Sequence, residues 1–319
     1  MPMSPSRPLA LGAGLCLAAL AAGCGTTSGA SSQTVPSSAS ASASSPSPSA
    51  HVPVVASTNV YGDIARRIGA GRVDVTSIIE SPDQDPHSYE AGTQNQLALS
   101  KAKVVIENGG GYDDFVDRML RSAGNDSARV INAVKVSGKT APPGGELNEH
   151  VWYDFPSVAG LADEIAGALA AADPAGASGY TANAAAFKAK LQPLTAKEAG
   201  IKAAHGGEAV AITEPVPLYL IEASGLRNAT PPDFSEAVEE GDDVSPRTLQ
   251  ETLALFTGKK VKALVYNEQT SGPQTEKVKK AAEAAGVPVV PVTETLPQGK
   301  DYLGWMTANV DALAGALGA

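Results

Sequence analysis

Residues 180–204 read YTANAAAFKAKLQPLTAKEAGIKAA, and this stretch decides the fold. It is rich in Ala and Lys, two strong helix formers, and carries no glycine before Gly200. It therefore predicts one long helix, with Pro193 the place where a kink is expected.

On either side of that helix the pattern changes to short apolar runs alternating with segments of helical period. Four strands are expected before it, at 52–56, 73–79, 104–107 and 129–131, and three after it, at 209–213, 263–266 and 287–292. Each is rich in Val, Ile or Ala and is bounded by Gly, Pro, Ser or charged residues. Helices fit 61–68, 94–100, 115–123 and 156–171 in the first half and 274–285 and 304–317 in the second. Ser245 followed by Pro246 reads as an N-cap and first-turn pair opening another. Strands alternating with helices predict an α/β chain with mainly parallel sheets flanked by helices. The expected layout is a first lobe over 51–175, a linking helix over 176–206 and a second lobe over 207–319, with a ligand cleft where the carboxyl ends of the strands face one another. No internal repeat is visible.

The beginning of the chain has a different character. Residues 1–24 read as a secretion signal: Arg7 supplies the positive charge, an apolar run over 9–22 follows, and small residues precede Cys24. The run is interrupted by Gly12 and Gly14 and is too short for a spanning helix, which needs about 20 apolar residues. Cys24 directly after Ala21-Ala22-Gly23 resembles the lipobox cysteine of bacterial lipoproteins, which implies lipidation and removal of the leader. Residues 25–50, almost wholly Ser, Ala, Thr, Pro and Gly, have the composition of a disordered tether. As a random coil the tether would hold the folded body roughly 28 Å from its anchor.

Composition narrows the function. The other cysteine, Cys16, lies in the leader, so the mature body has no pair for a disulfide and no thiolate metal site. The net charge of -10, with Lys and Arg scattered, excludes nucleic acid as the expected partner.

Two of the four histidines stand in unusual company. His87 lies in Asp85-Pro86-His87-Ser88-Tyr89, in a loop rich in Pro and Asp, and His150 lies in Glu149-His150-Val151-Trp152-Tyr153-Asp154. Glu214 follows the strand at 209–213 and is stiffened by Pro215 and Pro217. Glu294 follows the strand ending at 292. All four fall near expected strand ends, two in each lobe, and imidazole with carboxylate donors suits zinc, manganese or iron(II) and suits calcium poorly.

Over the whole body from Val52 onward the sequence resembles the cluster A-I solute-binding proteins of zinc and manganese ABC importers. The segment 85–90, DPHSYE, is close to that family's first ligand motif, and 150–154, HVWYD, to its second. The third motif places a His or Glu five residues before a Tyr and eleven before Gly-Leu, as Glu214, Tyr219, Gly225 and Leu226 do. In the fourth an Asp follows the final strand, where Glu294 stands here. The resemblance implies one divalent cation, zinc or manganese, held as cargo by His87, His150, Glu214 and Glu294. It further implies a permease and its ATPase as partners, a monomer, and a place on the outer face of the cytoplasmic membrane. Zinc importers of the family commonly have a third His and a His-rich loop, whereas the loop 137–148 here has none. The set is nearer to the manganese importers, with Glu294 one methylene longer than their usual Asp.

Two other functions use similar donors. A secreted metal-dependent hydrolase needs an open coordination position and a general base, and no fifth group with that role or His-Glu-x-x-His helix stands out. An adhesin on the same fold has no positive sequence feature. Gly109-Gly110-Gly111 lacks the Lys and Ser or Thr of a phosphate loop and is expected to be a turn. The acidic stretch 236–243 is expected to be a solvated loop, and His51 and His205 to be non-ligands.

Overall fold

The computed structural model describes residues 51–82, 84, 89 and 92–318. The leader, the tether, Cys24 and His87 lie outside the described residues.

Strands β1 (Val52–Thr58), β2 (Val73–Ile79), β3 (Val104–Glu107) and β4 (Arg129–Asn132) form a parallel sheet in the order β2-β1-β3-β4. A second parallel sheet, in the order β6-β5-β7-β8, is built from β5 (Ala209–Ile212), β6 (Arg227–Asn228), β7 (Leu264–Asn267) and β8 (Val289–Val292). Central strands β3, β5 and β7 are buried at every residue, because helices cover both faces of a parallel sheet. Edge strand β4 is largely exposed or half-buried.

In the first lobe the helices are α1 (Asn59–Gly69), α2 (Thr93–Lys101), α3 (Phe115–Ala123), α4 (Ala133–Ser137) and α5 (Phe155–Ala172). The linking helix, α6, is Ala177–His205 and runs through Pro193. In the second lobe come α7 (Leu218–Ala223), α8 (Pro232–Glu239), α9 (Pro246–Thr257), α10 (Pro273–Ala284) and α11 (Tyr302–Leu317). Ser245 caps α9 as its sequence predicts, accepting from the Thr248 amide. Asp154 and Asp301 cap α5 and α11 in the same way.

The buried face of α6 is Tyr180, Ala184, Phe187, Leu191, Leu194, Glu198 and Ile201, spaced alternately by four and three. This stripe packs on α1 and α5 of one lobe and on α7 and α11 of the other. One apolar core consequently runs from Val54 and Ile106 through Phe187 and Leu191 to Ile212, Val265 and Trp305. Among the described residues no helix is long and apolar enough to cross a membrane.

Some elements differ from the sequence expectation. The strand expected at 209–213 ends at Ile212, so Thr213 and Glu214 are the first residues beyond it. Strand β8 starts at Val289 instead of 287. The short elements α4, α7 and β6 had no periodic signal. The stretch 236–243 is solvated only from Glu240 onward, since Glu236 to Glu239 form the last turn of α8.

Candidate metal centre between the lobes

The second lobe supplies two carboxylates at the ends of neighbouring strands. Glu214 lies just past β5 and Glu294 just past β8, and each is 2% exposed. Between them β7 ends in Asn267, whose side-chain amide donates to Glu214 Oε2 and, at 2.9 Å, to Glu294 Oε1. The Thr270 hydroxyl donates to the same Glu214 oxygen. Parallel strands in register bring these three residues to one edge of the sheet, and the Asn267 amide offsets part of the repulsion between two buried anions.

The first lobe supplies His150, which is 0% exposed and packed edge-on against Tyr112 and Trp152, with ring centroids 5.9 and 5.0 Å away. Its Nδ1 is 2.7 Å from Asn148 Oδ1, which also accepts the His150 amide at 3.1 Å. The other end of the Asn148 amide donates to the Pro215 carbonyl, so both contacts fix which end is oxygen. Nδ1 therefore carries a proton, and in the neutral imidazole Nε2 then carries the lone pair, the arrangement that prepares an imidazole for a metal.

Bonds cross between the lobes around these groups. The Tyr112 hydroxyl donates to Glu294 Oε2 at 3.2 Å. Tyr112 is placed by the Gly109-Gly110-Gly111 turn, in which all three residues have positive φ and Asp113 accepts from the Asn108 and Gly109 amides. The expectation of a turn there holds. Tyr219 donates to the Asn148 carbonyl at 2.7 Å.

One acidic residue has a place the sequence did not suggest. Glu239, the last residue of α8, brings Oε1 to 3.5 Å from His150 Nε2, and its side chain is only 16% exposed. Donor atoms of Glu149, His150 and Glu239 all lie within 4.8 Å of one another. Burial, then the charges of Glu149, Glu214 and Glu294, push the Glu239 carboxyl up to about 9. Burial raises Glu149 to about 7. Nearby positive charge would favour the ionised form of both. His205 is paired with Glu208 and exposed His51 with Asp74, both on the periphery.

Of the four expected ligands, His150, Glu214 and Glu294 are thus buried in one hydrogen-bonded neighbourhood, while His87 falls outside the described residues. Asn267, Tyr112, Asn148 and Glu239 were not legible as site residues. A strand-final position aligned with two acids is the one signal that could have found Asn267.

A family model described as ZnuA, zinc-uptake complex component A, periplasmic, matches residues 54–316. The manganese-binding lipoprotein MntA of Bacillus subtilis is 26% identical over 247 residues, 73% of this chain and 76% of its own length. The manganese ABC transporter substrate-binding lipoprotein PsaA of Streptococcus pneumoniae serotype 4 is 25% identical over 283 residues, covering 83% and 88%. The periplasmic zinc binding protein TroA from Treponema pallidum shares the fold, with a TM-score of 0.70 at 20% identity over 84% of this chain and 99% of that one. The span of the family match, nearly the whole described body, means that this chain belongs to the ZnuA family of periplasmic zinc-uptake components.

Proposed function

We propose that this protein captures one divalent transition-metal ion, zinc or manganese, outside the cytoplasm and delivers it to the permease and ATPase of an ABC importer. The ligands are His87, His150, Glu214 and Glu294, and the protein works as a monomer tethered through lipidated Cys24. The observation that carries this reading is the pairing of Glu214 and Glu294 through Asn267, opposite a buried His150 whose Nδ1 is committed to Asn148. Names of relatives that record manganese binding support the cargo class. Zinc exceeds manganese at most nitrogen and oxygen sites, so affinity alone does not choose between them.

Metal content of protein purified without chelators, followed by calorimetric titration, tests the reading. One ion per chain is expected, with loss of the metal-dependent rise in melting temperature in His150→Ala and in Glu214→Ala. Unchanged binding in the double variant would refute the assignment, and an unmodified mature N-terminus by mass spectrometry would refute the anchor.

A further inference from the structure

Two hollows meet at the end of α8. One, of about 290 Å³, has Glu146, Glu149, Glu236 and Glu239 in its wall beside Pro215. The other, of about 740 Å³, has Glu239, Glu240, Asp242 and Asp243 with Lys277 as its cation, and reaches Thr270, which bonds Glu214. Acidic walls of this kind raise the local concentration of cations. Charge alone would not make a site, but of the two residues common to both hollows, Glu239 and Glu240, only Glu239 is turned inward.

Glu239 Oε1 is buried and receives no hydrogen bond among the described residues. A buried acceptor in that position costs stability unless a proton or a cation satisfies it. From the other lobe His150 Nε2 approaches it to 3.5 Å, the nitrogen that carries the lone pair when the ring is neutral and Nδ1 donates to Asn148. A carboxylate oxygen and an imidazole lone pair repel each other unless a proton or a cation lies between them, and a cation can take the place of that proton. Two donors each about 2.1 Å from one tetrahedral ion stand about 3.4 Å apart, which is the spacing found here. Glu149 adds a third donor atom within 4.8 Å of both.

We propose that Glu239 is the capture ligand: an incoming divalent cation is bound first between Glu239 and His150, with Glu149 as third donor, and passes from there to Glu214 and Glu294. This rests on the carrier reading and adds the route by which the ion arrives. His150 belongs to both positions, so the ion exchanges carboxylates without being released from the imidazole.

Stopped-flow binding of Mn²⁺ and of Zn²⁺ to the full chain, read by competition with a fluorescent chelator, tests it. Glu239→Gln should slow association by about tenfold or more, as loss of a guiding carboxylate does. Dissociation should slow in step, leaving Kd within about threefold of wild type. Glu239→Asp keeps the charge but withdraws the oxygen, and should also slow association. Glu240→Gln removes an equal charge from an exposed neighbour and should slow it far less. Wild-type rates in Glu239→Gln, equal slowing in Glu239→Gln and Glu240→Gln, or weakened affinity at an unchanged association rate would each overturn the proposal. Failure of the wild type to bind either ion would instead sink the carrier reading, so the two failures are distinguishable.

Discussion

Glu198 sits in the middle of the apolar stripe of α6, 3% exposed, with its Oε1 receiving no hydrogen bond among the described residues. Burial, and secondarily the charge of Asp154, raise its carboxyl from an ordinary 4.5 to about 7. The folded chain therefore holds this proton more tightly than the unfolded chain does. Below about pH 4.5 both states are protonated and the group costs nothing. As pH rises toward 7 the unfolded chain ionises first, and stability falls. Above pH 7 the full cost is present, about 3 kcal/mol as an upper figure. Glu198→Gln keeps the shape and stays neutral at every pH. Urea unfolding should find it more stable than wild type by up to about 3 kcal/mol at pH 8 and by less than about 1 kcal/mol at pH 5. Parallel pH profiles for the two proteins, or a variant less stable at pH 8, would refute the reasoning.

Two further outcomes follow from the site. Asn267→Ala removes the donor shared by Glu214 and Glu294, and calorimetry should find metal affinity lower by roughly 10- to 100-fold, as for other supports of ligating carboxylates. Gly109→Ala places a methyl about 2.1 Å from Asn132 Nδ2 at a backbone φ of 77°. Asn132 cannot yield freely, because its amide bonds Glu107 and its oxygen caps α4. Chemical denaturation should show a loss of roughly 1–3 kcal/mol.

The parts of the fold that were legible are those whose burial leaves a local pattern. Strands β3, β5 and β7 are covered on both faces and read as unbroken apolar runs. Helix α6 was visible from its length and composition, although its exact face was not, since an acid occupies one of the stripe positions. Short elements such as α7 and two-residue β6 fall below any period. Glu214 and Glu294 could be picked out because each follows a strand directly. Glu239 could not, because its neighbours Glu240, Asp242 and Asp243 are solvated while its own side chain turns toward His150 of the other lobe. A run of acids looks the same in sequence whether or not one member turns inward.

The bonds that position the candidate ligands are also bonds that hold the lobes together. Glu294 receives the Tyr112 hydroxyl from the first lobe, and its neighbours are tied there too: Tyr153 donates to the Thr293 carbonyl and the Leu296 amide donates to Asn59. His150 is fixed by Asn148, which bonds Pro215 and accepts from Tyr219 of the second lobe. Glu214 accepts from Asn267 and Thr270 of its own lobe. A cation alters the register of the lobes only as far as its contacts differ between registers. Movement of Glu294 or His150 toward an ion pulls directly on these bonds across the cleft. In the proposed carrier, Glu294 and His150 are therefore the candidate ligands through which occupancy couples to the register of the lobes.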